Sequence, residues 1–257
     1  SDLLCTGPVP LLFLFCTVHN VTGMNRNRGK QSNDDRCFGT RWQPVLREAV
    51  DDCVYLLTRG YGEQTVIQTV GNRYKLNRRQ RLAVQGAMAG RQQTDAREKT
   101  RCPAAGLAGE PVAIDGFNLL ILLESALSGA YIFQGRDGAC RDISGVHGSY
   151  KRVRKTSEAI ELTGRTLEHL KVTGVNWLLD RPVSNSGRLK TELLETAERF
   201  SFPWEVDLVY NPDKVLAESE AIVVSSDAWV LDHAARWFNL GRNIIENHME
   251  AANRIIL

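Results

Sequence analysis

Two hydrophobic patterns divide the chain. Between residues 44 and 89, apolar side chains recur three and four positions apart: Leu46, Val50, Val54 and Leu57, then Val66, Ile67 and Val70, then Leu82, Val84 and Met88. Gly60, Gly62 and Gly71 punctuate these runs, and Asn77 stands where the third needs an N-cap. The spacing predicts a three-helix unit, too small to bury much core alone and therefore expected to dock on the remainder. Residues 90–110, with Gly, Gln, Arg, Lys and Pro103, read as a polar linker.

Beyond Pro111 short apolar runs alternate with amphipathic ones. Strands are expected at 111–115, 131–133, 175–180, 204–209 and 221–227, with a last one at 243–246. Residues 138–143, around Arg136-Asp137-Gly138, read as a hairpin or projecting loop. Helices are expected at 118–127, 150–170, 186–200 and 212–218, and from Asp227 to about Phe238. This alternation predicts an α/β fold, a parallel sheet flanked by helices, preceded by a small basic helical domain.

Composition narrows the class. Hydrophobic residues make up 43% and charged residues 24% of the 257, a balance that excludes disordered and fibrous chains. The longest apolar run, Val9 to Phe15 broken by Pro10, is far short of the ~20 residues that span a bilayer. No membrane partner is expected. The net charge of +2 hides an asymmetry: residues 24–101 hold 16 Lys/Arg against 8 Asp/Glu, whereas 102–257 hold 16 against 21. A basic segment suits a polyanion, and an acidic one suits a cation. The six cysteines are widely spaced without a C-x-x-C, and the five histidines are scattered. Reduced thiols in a cytoplasmic protein follow, with no zinc site. Residues 1–23 carry an apolar stretch without a basic start or a cleavage site, and Met24 opens the polar, basic run Asn25-Arg26-Asn27-Arg28. Met24 is the expected initiator, with 1–23 an upstream-translated leader. The expected division is thus 1–23, 24–101 and 102–257.

In a parallel α/β sheet, sites form beyond the carboxyl ends of the strands. Asp115, Asp180 and Asp227 each end an expected strand. Any one of them could be a helix N-cap. Three on one edge repel unless a cation neutralises them. Oxygen ligands of this kind suit Mg²⁺ or Mn²⁺ and, with them, phosphodiester cleavage. Glu124, on the helix after Asp115, is a candidate fourth ligand. No G-x-G-x-x-G follows a strand, no P-loop occurs, and Asp115 lacks the second aspartate two residues on that a haloacid-dehalogenase-type phosphatase uses.

Basic residues stand where a polyanion could be gripped. Arg73, Lys75, Arg78, Arg79 and Arg81 crowd together beside Tyr74. Lys151 and Arg152, with Arg154 and Lys155, follow His147. Ser184, Asn185 and Ser186 form a polar turn after Asp180 whose amides could hold a phosphate, and simple N-capping explains that turn equally well.

The stretches Ile114-Asp115-Gly116-Phe117-Asn118, Gly135-Arg136-Asp137-Gly138, Val146-His147-Gly148-Ser149-Tyr150, the block from Leu179 to Lys190, and Ser226-Asp227 resemble the prokaryotic domain-of-unknown-function 434 family. Leu57-Thr58-Arg59-Gly60-Tyr61 and the run around Leu76-Asn77-Arg78-Arg79 resemble its helical part, the likeness covering residues 24–246. Its C-terminal domain is similar to the PIN/NYN nuclease fold. That resemblance implies Asp115, Asp180 and Asp227 as catalytic metal ligands with Glu124; Asn118, Arg181, Ser184, Asn185, Ser186, Lys151 and Arg152 are the expected substrate contacts. The function expected is a Mg²⁺- or Mn²⁺-dependent ribonuclease. The alternatives are a non-catalytic RNA- or ribosome-binding protein and a small-molecule phosphoesterase.

Overall fold

The computed structural model describes residues 27–144 and 150–257. The leader 1–23, Met24 and His147 lie outside the described residues. The N-terminal region is helical: α1 (Asp34–Phe38), α2 (Gln43–Thr58), α3 (Glu63–Arg73), α4 (Arg78–Ala87) and α5 (Arg91–Thr100). Asn77 caps α4 through a capping box. Its side chain accepts the Gln80 N–H while the Gln80 side chain accepts the Asn77 N–H. The apolar faces of α2, α3 and α4 bury Leu46, Val50, Cys53, Val66, Val70 and Val84 in one cluster with Phe133, Ile255 and Leu257 from the other end of the chain. The helices share a core with the α/β part, which a unit this small requires.

Helix α5 corrects the expected linker. It carries almost no apolar residue, and its buried member is Arg97, 2% exposed and ion-paired to Asp137 and Asp232. Hydrophobic periodicity cannot register a face buried through charge.

The remainder runs β1 (Pro111–Asp115), α6 (Gly116–Leu127), β2 (Tyr131–Gln134), β3 (Cys140–Arg141), α7 (Thr156–His169), β4 (Gly174–Asp180), α8 (Ser186–Phe200), β5 (Trp204–Val209), α9 (Pro212–Ala217), β6 (Ile222–Val224), α10 (Ala228–His233), α11 (Leu240–His248) and β7 (Asn253–Ile256). A four-stranded sheet has the order β5-β4-β1-β6, every pair parallel. Alternate residues face opposite ways. Val112, Ile114, Trp177, Leu179 and Val224 pack with Leu120, Ile160, Leu193 and Ile244 of α6, α7, α8 and α11. Ala113, Leu178 and Val223 pack on the other side with Leu216, Val230 and Trp237. The mixed α/β architecture with flanking helices is the expected one.

A second sheet, β3-β2-β7, pairs β2 and β3 as an antiparallel hairpin across the Asp137-Gly138 turn, where Gly138 takes φ 77°. Three expectations change. Residues 150–155 precede α7 instead of opening it, since the Thr156 hydroxyl accepts the Val153 N–H and donates to buried Glu124. Residues 243–246 lie inside α11, capped by the Asn239 side chain, and the last strand is β7. Strand β6 stops at Val224, leaving Ser225, Ser226 and Asp227 as the loop into α10. Among the described residues, no helix is long and apolar enough to cross a membrane. Cys37, Cys53, Cys102 and Cys140 are free, and burial pushes the Cys53 thiol up to about 12.

Candidate active site

The strand order creates a crevice. From β1 the chain steps outward to β4 and β5, then returns to β6 on the opposite side of β1. Connections therefore leave β1 and β6 in opposite directions, the arrangement that opens a binding cleft beyond the carboxyl ends of the strands. Asp115 ends β1, Asp180 ends β4, Asp227 follows β6, and Asp213 lies in the first turn of α9 just after β5. Gly116 makes the first of these junctions close-packed. A Cβ there would stand 2.5 Å from Leu179 Cδ2 and 3.1 Å from the Leu178 carbonyl oxygen, so a larger residue would have to displace Leu179 where α6 leaves β1.

The aspartates differ in how they are held. Asp115 is 7% exposed; its Oδ2 accepts the Ser225 hydroxyl at 2.8 Å and its Oδ1 the Asn118 N–H at 3.4 Å. Burial pushes its carboxyl up to about 7 against the Ser225 bond, and the charges of Asp213 and Asp227 push the same way. Asp213 is also raised, by burial and then by the charges of Asp227 and Asp180. Burial raises Asp180, whose Oδ1 is buried with no hydrogen-bond partner among the described residues. Asp227 Oδ1 accepts the N–H groups of Trp229 and Val230 at 2.8 and 3.1 Å. Asp115 and Asp227 are thus both helix N-caps, yet they feel one another and Asp213 electrostatically. Asn118 ties α6 to the β6 loop: its Oδ1 accepts both the N–H and the hydroxyl of Ser226, at 2.9 and 2.8 Å.

A buried ion network braces that loop from behind. Arg141 Nε donates to the Ser226 carbonyl at 2.6 Å, and its two Nη groups hold Asp137 at 2.9 and 2.6 Å. Arg97 donates to Asp137 and Asp232, both at 2.6 Å, and to the Ala228 carbonyl at 3.2 Å. Burial works against the Asp137 charge, but Arg141 and then Arg97 hold its carboxyl below the usual range. Carbonyls on both sides of Asp227 are therefore fixed by arginines, one of them from the helical region.

Glu124, the expected fourth acid, belongs to a separate cluster. It is fully buried on α6; Oε1 accepts the hydroxyls of Tyr150 and Thr156, and Oε2 accepts Arg28 Nε at 2.6 Å. Both oxygens are engaged by these partners. Asp213 is the further acid coupled electrostatically to Asp115, Asp180 and Asp227. Asp213 does not end a strand, and its signal in the sequence is the Asn211-Pro212-Asp213 helix start directly after β5. Among the described residues, no three His, Cys, Asp or Glu side chains already stand close enough to enclose an ion. Asp115 is coupled to Asp213 and Asp227, and Asp213 to Asp227 and Asp180.

The basic candidates divide. Arg79 forks onto buried Asp34 at 2.7 and 3.0 Å, and Arg81 donates to the carbonyls of Leu76 and Ile67 and to Asn72. Both are fixed inside the helical region. Arg73, Lys75 and Arg78 are exposed, with Arg73 3.4 Å from Asp52. After β4, Arg181 is exposed with its guanidinium over the Tyr210 ring, 5.3 Å from the centroid. Asn185 takes a left-handed φ of 72° at the N-cap of α8, but its side chain makes no capping bond and donates to the Tyr150 carbonyl at 2.9 Å. The Ser184 carbonyl accepts the Tyr150 N–H, and buried Ser186 donates to the Arg181 carbonyl. Lys151 is exposed, while Arg152 forks onto Glu192 at 2.8 and 2.9 Å.

Comparison with known proteins divides the chain near the start of β1. The model of a family described as "Domain of unknown function (DUF5616)" matches residues 104–243. That described as "Protein of unknown function (DUF434)" matches residues 45–99. The expected likeness to the 434 family thus holds for the helical part, and the α/β part has a family model of its own. An uncharacterized protein of Methanocaldococcus jannaschii is 31% identical over 188 residues, covering 71% of this chain and 90% of that relative. No solved structure matches the chain.

Proposed function

The chain belongs to the DUF5616 family, with a DUF434 segment before it, and we propose that it is a metal-dependent ribonuclease whose α/β part is of PIN/NYN kind. The carrying observation is the convergence of Asp115, Asp180, Asp213 and Asp227 from four strand–helix junctions, with Asp115 pushed up to about 7 by burial and neighbouring acids. Holding such charges together is costly unless a cation offsets them. The donors fit a hard divalent ion: carboxylate oxygens, one of them, Asp180 Oδ1, buried without a partner among the described residues. Carboxylate oxygens of this kind suit Mg²⁺ or Mn²⁺, which keep several of their waters. Asp115, Asp180, Asp213 and Asp227 would hold it, directly or through water. Bound there, the ion supplies Lewis-acid stabilisation of a phosphodiester and its leaving oxygen.

The chain's own residues prepare this edge. Ser225 orients Asp115 through its hydroxyl, Asn118 fastens the loop to α6, and Arg97 and Arg141 fix the carbonyls around Asp227. Arg181, exposed beside Asp180, supplies positive charge to a substrate phosphate. RNA is favoured over a small substrate by the exposed cations Arg73, Lys75 and Arg78 on a segment with a net charge of +8.

The test is cleavage of varied RNAs by the full chain with and without Mn²⁺, beside thermal melts. Metal-dependent cleavage and a metal-raised Tm, both lost in Asp180→Asn, support the reading. A second reading, a non-catalytic RNA-binding protein, is favoured by the capping roles of Asp115 and Asp227. It predicts RNA retention with neither cleavage nor a metal effect on Tm.

A further inference from the structure

Two large aromatic side chains stand exposed beside the aspartates. Tyr210, 74% exposed, directly follows β5 and lies three residues before Asp213. Trp229, 48% exposed, is in the first turn of α10, and its own N–H caps onto Asp227 Oδ1. Rings of this size normally contribute to a core or an interface.

Each ring is backed on one side. The Arg181 guanidinium lies over Tyr210, and the His233 imidazole stacks on Trp229 with centroids 4.2 Å apart and planes at 25°. His233 is itself held by its Nδ1 against the Trp229 carbonyl at 2.7 Å. Backing fixes the plane of a ring and leaves its exposed face ready to stack, so less rotamer freedom is lost on binding.

Their placement is what matters. Tyr210 follows β5 and Trp229 follows β6, the two outer strands of the order β5-β4-β1-β6. Asp180 and Asp115 end the two strands between them. At about 4.8 Å per strand, the outer strands are roughly 14 Å apart, so the aspartate edge lies between two aromatic platforms. Flat faces flanking a phosphate-directed site suit unpaired nucleobases, because every base offers a π-face that a duplex covers. We propose that Tyr210 and Trp229 stack bases of single-stranded RNA on either side of the aspartates. The inference rests on the nuclease reading and names its substrate class.

Fluorescence anisotropy of the full chain in EDTA, where metal-dependent cleavage does not interfere, tests this. The probes are a labelled single-stranded oligoadenylate, the same strand annealed to its complement, and the same strand with abasic positions. Wild type should bind the single strand more tightly than the duplex. Tyr210→Ala and Trp229→Ala should each weaken single-strand binding about five- to hundredfold, while Tyr210→Phe retains it. Both side chains are exposed, so unchanged melts are expected for these variants. Abasic positions should weaken wild type by a similar factor and leave the double alanine variant unaffected. Alanine variants that bind like wild type, or a wild type indifferent to abasic positions, overturn the proposal. So does concentration-dependent self-association that the alanines abolish, which would make the rings a protein contact. Stacking without Mn²⁺-dependent cleavage removes the nuclease reading alone; cleavage with alanine-insensitive binding removes the stacking alone.

Discussion

Replacing Asp115 by asparagine changes little in shape and deletes one charge from the aspartate edge. Asparagine caps helices as well as aspartate does, so its amide oxygen keeps the bond from the Asn118 N–H, while its NH₂, standing where Oδ2 was, donates to the Ser225 hydroxyl instead of accepting from it. What disappears is ionisation. A tenfold change in proton affinity is worth about 1.36 kcal/mol. A carboxyl moved from 3.8 to about 7 therefore ionises in the folded chain at a cost of about 4 kcal/mol relative to the unfolded one. The sign follows from the raised folded value: between those limits the folded chain keeps a proton that the unfolded chain has released. Stability without metal thus falls as the pH rises from about 4 to about 7 and is level above that. Asp115→Asn lacks this fall. Variant and wild type should match near about pH 4, and the variant should lead by about 2–4 kcal/mol at about pH 8. Urea unfolding of the full chain in EDTA at a series of pH values reads the difference. Mn²⁺ should then stabilise wild type by mass action and leave the variant unmoved. A gap independent of pH would refute the account of Asp115. A variant less stable by about 0.5–2 kcal/mol at every pH would make the residue a cap and nothing more.

Asp137→Ala leaves Arg97 and Arg141 without their shared carboxylate and should cost about 3–5 kcal/mol in urea unfolding at neutral pH. Because the Asp137 carboxyl is held below its ordinary value, that loss should shrink as the pH drops through the acid range where wild type itself protonates. Glu124→Gln should lower stability by about 1–3 kcal/mol yet leave the Mn²⁺-induced rise in Tm intact; a vanished metal effect would return Glu124 to the ligand set. Replacing Arg73, Lys75 and Arg78 with alanine should reduce the log–log salt slope of RNA binding by about 0.7 per lost phosphate contact without moving the melt. Arg81→Ala should instead lower the Tm, because its guanidinium holds the carbonyls of Leu76 and Ile67.

Elements whose burial is apolar and local are legible in the amino-acid pattern alone. Helices α2, α3 and α4, the Asn77 cap, strands β1, β4 and β5 and helix α8 follow from spacings of two or of three and four, because each buries its own side chains in proportion to that pattern. The strand-ending positions of Asp115 and Asp180 were legible for the same reason. Helix α5 was not, since Arg97 is buried by pairing with Asp137 and Asp232, 40 and 135 residues away. The run around Ile244 and Ile245 reads as a strand from its pattern, but the Asn239 cap and the packing of Gly241 against Leu122 make it part of α11. Glu124 and Asp213 show the division most plainly. Both are acids shortly after a strand, but Glu124 turns into the core, where Tyr150, Thr156 and Arg28 meet it, whereas Asp213 stays at the edge near Asp180 and Asp227. Periodicity is carried by residues a turn apart, whereas the cost of a buried charge is set by groups that only the closed sheet brings together.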